Sequence, residues 1–144
     1  MKNILVSIDF NTDENLLLDH AYQLAKAFGS KVWILHVAAP NPDFVGFKAG
    51  PQFMRDMRAS ELRKEHKTLQ NYALELKAKG IDTEALLIQG PTIEMLLEET
   101  EKLNIDLFII GHHEHSFLYK LFVGSVSDKI IQKSKIPLLI IPLE

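Results

Sequence analysis

The chain has 144 residues, 47% hydrophobic and 24% charged, with a formal net charge of -3 and a pI near 6.1, the size and composition of one ordinary globular domain over residues 1–144. A slightly acidic whole lacks the basic face that nucleic-acid phosphates require, so no nucleic-acid partner is expected. With no cysteine in the chain, disulfides, thiolate catalysis and Cys-ligated zinc or iron–sulfur sites are excluded, which fits a reducing compartment.

The opening MKNILVSIDF carries one lysine and a short apolar run broken at Asp9, without the apolar length or cleavage site of a secretory signal. The longest apolar runs, such as Ile136 to Leu143 with a proline inside, fall far below the ~20 residues that cross a bilayer. A soluble, cytoplasmic protein without a membrane partner is expected.

Asn3 to Ile8 is a β-branched and leucine-rich run closed by Asp9, as suits a first strand buried on both faces. From Asp13, the apolar positions Leu17, Ala21, Leu24, Ala25 and Phe28 recur at helical spacing until Gly29 stops them, predicting a first helix. Lys31 to Val37 (KVWILHV) predicts a second strand. Pro40 to Pro51 holds three prolines and two glycines, a loop longer than the median of about 6 residues and of the kind that often forms a functional lid. A second helix follows to about Lys79, clearest at Leu69, Tyr72, Ala73 and Leu76, with Gly80 as its stop. Thr83 to Ile88 predicts a third strand, Gly90-Pro91-Thr92 a tight turn with proline near the first helical position, and Ile93, Leu96, Leu97 and Leu103 a third helix. Asp106 to Ile110 is the fourth strand, Gly124 to Lys133 the fourth helix and Pro137 to Ile141 the fifth strand. Strict alternation of buried strands and amphipathic helices implies right-handed crossovers and an α/β fold: one doubly wound, five-stranded parallel sheet with helices on both faces. Ligands of such sheets bind outside the carboxyl ends of the strands where strand order reverses, so the loops beginning at Asp9 and Gly111 become the candidate site.

After the fourth strand the chain reads GHHEHSFLYKLFVGSVSDKII from Gly111 to Ile131. Glycine at a helix start lets backbone approach an anion, the free N–H groups and helix dipole attract negative charge, and a serine hydroxyl adds a donor. The same residues would equally serve a turn at Gly111 and a cap at Ser125 or Ser127. His112, His113 and His115 with Glu114 invite a metal reading. Adjacent residues point apart, however, and a solvated polar loop accounts for them, so no metal is expected. His36, inside the second strand, reads as a satisfied buried histidine. A phospho-receiver domain would need clustered acids after the first strand, where Asp9 stands alone. The chain also has no G-x-x-x-x-G-K-[ST], no G-x-G-x-x-G after the first strand and no G-x-S-x-G elbow.

The whole chain resembles the universal stress protein family: ILVSIDF, WILHV, QGPTIEML, the D-L-x-I-x-G strand, the GSVS helix start and the terminal PLLIIPL all match. The nucleotide-binding branch of that family carries G-x2-G-x9-G-[ST]. Gly111, Gly124 and Ser125 match its first, third and fourth positions at the right spacing, while Glu114 stands where the second glycine falls. The resemblance implies a Rossmann-like, adenine-nucleotide α-hydrolase-like sheet of strand order 3-2-1-4-5, and ATP or AMP as ligand. It places Asp9 at the adenine or ribose, Val37 at the base through its backbone, and Gly111, Gly124, Ser125 and Val126 around ribose and phosphates. From the residues alone, Asp9 reads equally as a turn aspartate and Val37 as ordinary core.

Glu114 would repel an unbridged polyphosphate and obstruct a conformation glycine permits; Mg2+ would reconcile the two. Two functions therefore stay open: a nucleotide-binding regulatory protein of the stress response, or a dimeric interaction module that binds no nucleotide because Glu114 closes the cradle. Slow ATP hydrolysis would have only Asp9 and Glu114 to draw on, and no catalytic residue is identified. The resemblance also places the fifth strand at a sheet edge. There its apolar run would aggregate unless covered, so a two-fold homodimer through this strand is expected, bounded by Pro137 and Pro142.

Overall fold

The computed structural model describes residues 1–10, 14–38, 52–113 and 126–143. Along the chain these form β1 (Asn3–Ser7), α1 (Glu14–Phe28), β2 (Lys31–Ala38), α2 (Gln52–Ala78), β3 (Thr83–Gln89), α3 (Thr92–Lys102), β4 (Leu107–His113), α4 (Val126–Lys133) and β5 (Leu138–Leu143). The five strands make one sheet in the order β3-β2-β1-β4-β5, and every neighbouring pair is parallel. The expected α/β architecture and the order 3-2-1-4-5 are what the chain adopts.

Alternation along the strands sorts side chains to two faces. Ile4, Val6, Ile34 and Ile109 pack under α1 and α2 against Leu17, Ala21, Leu69 and Ala73. Leu5, Leu35, Val37, Phe108 and Ile110 face the other way, toward Leu96 of α3 and Ile130 of α4. Each buried Val, Leu, Ile or Phe side chain among these is worth about 1.5–3 kcal/mol, so both helix layers are held by the sheet. Gly29 and Gly80 end α1 and α2 at φ 67° and 89°, a left-handed conformation that a Cβ disfavours. At the amino-terminal rim, Asp106 Oδ2 accepts the backbone N–H groups of Lys2 (2.7 Å) and Asn3 (2.9 Å). These bonds hold the Asp106 carboxyl below its usual range and pin β1 beside β4.

Three expectations are corrected. β4 does not stop at Ile110 but continues through Gly111 and His112 to His113, opposite Leu143. Backbone pairing with β5 carries it on regardless of side-chain polarity. β5 runs through Pro142 rather than ending at Ile141. Phe108 N–H bonds Pro137 O at 3.1 Å, and the alternation of a parallel ladder then turns Leu139 and Ile141 toward β4 and Leu138, Ile140 and Pro142 outward. The missing N–H of Pro142 therefore faces the free edge, where it breaks no bond. Phe28, expected on the core stripe of α1, is 58% exposed, because the last turn of α1 has reached the rim where Gly29 reverses the chain. Leu18, buried in α1, was not among the expected core positions.

Candidate functional site

The carboxyl edge of β1, β2 and β4 is where strand order reverses. Val6 stands opposite Ile109 and Ser7 opposite Leu35, so the same registers set Ile8 level with both Gly111 and His36. Ile8 N–H bonds Leu35 O at 2.9 Å. That bond directs the backbone groups of Val37 toward the β1 side, past the last ladder residue of β1, while its side chain is buried in the core of the α3–α4 face. Asp9 follows Ile8 and is exposed. Phe10 then turns at φ 63°, a left-handed conformation unusual for a bulky residue. Its ring stands edge-on against His36, centroids 4.6 Å apart at 65°.

Gly111 lies within the strand rather than opening a loop. A Cβ there would run into the Leu143 side chain, 3.2 Å from its Cγ, with Leu17 Cδ1 at 3.6 Å. Packing by β5 thus favours a small residue here whatever the ligand, since a Cβ would push the Leu143 side chain aside. His112 Nδ1 lies 2.7 Å from Ser127 Oγ, tying the end of β4 to the first turn of α4, with Ser127 almost fully buried. Val126 begins the described part of α4. The sheet thus brings Asp9, Val37 and Gly111 to one edge, and Val126 joins them through the His112–Ser127 bond. Glu114, Gly124 and Ser125 lie outside the described residues, as do His115 and the loop from Pro40 to Pro51. The position of His112 in a strand, bonded to Ser127, differs from the solvated loop expected for it.

A polar cluster stands behind this edge. Tyr72 Oη donates to Glu14 Oε2 at 2.7 Å, while the buried Glu14 Oε1 has no hydrogen-bond partner among the described residues. Burial pushes the Glu14 carboxyl up, the negative charge of Asp9 adds to it, and the Tyr72 hydroxyl, the Phe10 backbone N–H and His36 pull it back. His36, expected to be a satisfied buried histidine, places Nδ1 2.7 Å from Ile8 O and Nε2 3.5 Å from Glu65 Oε2. The sequence did carry a signal for the two glutamates. Glu14 lies three residues before Leu17, and Glu65 four before Leu69, so each charged residue falls on the apolar stripe of its helix. Among the described residues, no helix is long and apolar enough to cross a membrane.

The family model of the universal stress protein family matches residues 1–142. Universal stress protein YxiE of Bacillus subtilis (strain 168) is 29% identical over 143 residues, spanning 96% of this chain and 97% of its own. A universal stress protein solved in complex with cAMP has a TM-score of 0.72 at 21% identity, over 99% of this chain and 98% of its own. A universal stress protein family protein from Arabidopsis thaliana with AMP bound has a TM-score of 0.70 at 17% identity, over 100% of this chain and 93% of its own. At such identities the two structures speak for the fold.

Proposed function

The chain belongs to the universal stress protein family, and from that premise we propose that it is a cytoplasmic regulatory protein of the stress response that binds AMP or ATP at the carboxyl edge of β1, β2 and β4. The observation that carries this reading is the convergence of Asp9, Val37 and Gly111 at the reversal point of the sheet, the place where doubly wound sheets receive ligands. Relatives of the same fold solved with cAMP and with AMP support an adenine nucleotide as occupant.

Asp9 meets the adenine or ribose, and the Val37 backbone meets the base. Gly111, Gly124, Ser125 and Val126 surround ribose and phosphates, and the amino-terminal N–H groups and dipole of α4 attract the phosphate. Mg2+ would bridge Glu114 and a polyphosphate; without it, Glu114 favours the nucleotide with fewer phosphates. Occupancy changes what the loops after β2 and β4 present to other proteins, and no turnover is required.

Two observations favour a second reading, an interaction module without nucleotide: Leu143 packs against Gly111 and Glu114 replaces the second motif glycine. Calorimetric titration of AMP and ATP, with and without magnesium, into wild type and Glu114→Gly separates the two. Saturable binding to wild type, one site per chain, is expected. Binding confined to Glu114→Gly would leave the interaction module as the better account.

A further inference from the structure

We infer that His36 is a proton-sensing positioning residue that makes the nucleotide affinity of this edge depend on pH, an inference that rests on the nucleotide reading above. His36 Nδ1 lies 2.7 Å from Ile8 O. A carbonyl oxygen only accepts, so this bond assigns a proton to Nδ1. The other ring nitrogen faces Glu65 Oε2 at 3.5 Å, and that buried oxygen has no hydrogen-bond partner among the described residues. An ionised carboxylate is likewise an acceptor only. A neutral His36 protonated at Nδ1 would therefore turn a lone pair toward the buried Oε2 of a half-buried carboxylate, acceptor against acceptor. The contact holds when the pair carries one further proton, on Nε2 or on Glu65. Imidazole is the group that changes charge near neutral pH.

The geometry ties this proton to the site. In the protonated pair, His36 bridges the segment just past β1 to α2, through Ile8 on one side and Glu65 on the other. Phe10, at φ 63°, rests its ring on His36, so the turn that presents Asp9 is supported from behind by the imidazole. Val37, the backbone contact on the base, is the next residue along β2. When the extra proton leaves, Nε2 and Glu65 separate and the bridge to α2 opens.

Among the described residues, the charged and titratable groups around His36 come from three segments. Glu65 of α2 is in contact, Glu14 of α1 interacts with the ring through charge, and Asp9 at the end of β1 acts on Glu14. Tyr72 of α2 joins through its hydrogen bond to Glu14. From β3, the residue opposite His36 is Leu87, which brings no charge.

The test is AMP calorimetry from pH 5.5 to 8.5 on wild type and Glu65→Gln, with nitrogen-detected NMR of the His36 ring in wild type, free and AMP-bound. A glutamine amide donates to neutral Nε2, so Glu65→Gln keeps the contact without the extra proton, and titration of the AMP phosphate is common to both proteins. Wild-type Kd is expected to rise with pH about 5–10-fold more than that of Glu65→Gln, within the usual range of coupling between sites. In the free protein Nδ1 stays protonated throughout, and AMP shifts the His36 midpoint upward. Parallel affinity curves with an unmoved midpoint would overturn the coupling and leave nucleotide binding standing. Absence of AMP binding at every pH would overturn the nucleotide reading, and the coupling with it. A free-protein tautomer protonated at Nε2 rather than Nδ1 would contradict the assignment at its root, independently of any variant.

Discussion

Gly111 was legible in the sequence as the first position of a glycine motif, but the reason for a glycine at that point was not. Leu143 packs against it, and that contact comes from the β4–β5 register, a pairing of residues 30 positions apart. Glu14 and Glu65 were equally obscure. Each could be seen on an apolar stripe, yet which carboxylate would meet a tyrosine and which a histidine depends on the way α1 and α2 cross the sheet. The pairing of Glu14 with Tyr72 carries a pH prediction. Burial, with the Glu14 hydrogen bond and charge adding to it, pushes the Tyr72 hydroxyl from 10.0 up to about 12. The folded protein thus holds this proton more tightly than the unfolded chain does. Its contribution is fully present below the unfolded value and is lost as pH rises through about 12. Glu14, also pushed up, has the same sign at the acid end: its contribution is lost as pH rises through the folded value. Ultraviolet titration should show one phenolate forming well after the others, and Glu14→Gln should bring it earlier. Simultaneous ionisation of all tyrosines in the folded protein would refute the assignment.

Elements were the most readable level, because buried parallel strands declare themselves as short aliphatic runs and glycine marks the helix ends. What misled was polarity at strand ends. The GHH of β4 looked like a loop and the proline of β5 like a stop. Ladder bonds between β4 and β5 depend on neither, provided the proline nitrogen faces outward. That outward face now has a definite composition: N–H groups at Leu138 and Ile140, none at Pro142. We expect a second copy to pair there, giving a homodimer through β5. Ile140→Pro removes an outward N–H without touching the β4 ladder, so it should fold yet weaken association. Light scattering at micromolar concentration should find wild type near twice the chain mass and the variant shifted toward one. A wild-type monomer would exclude the dimer.

For the molecule as a whole, alternation of strands and helices announced a doubly wound sheet. The order of strands needed the family resemblance, since local pattern says nothing about which side of β1 receives β4. Once that order is in place, residues far apart in sequence, Asp9, Val37 and Gly111, share one edge. The candidate site was thus legible as a set of motif positions, while its surroundings, the Phe10 turn, the His36 bridge and the Glu14–Tyr72 pair, exist only through tertiary contact. The central claim is that an adenine nucleotide occupies this edge. Titration of AMP into isotopically labelled wild-type protein, followed through the backbone amide resonances, tests it most directly. Saturable shifts concentrated at Asp9, Phe10, Val37, Gly111 and Val126, with β3 and the amino-terminal rim unmoved, are the result predicted. Unchanged spectra at millimolar AMP, or saturable shifts gathered elsewhere on the molecule, would contradict it.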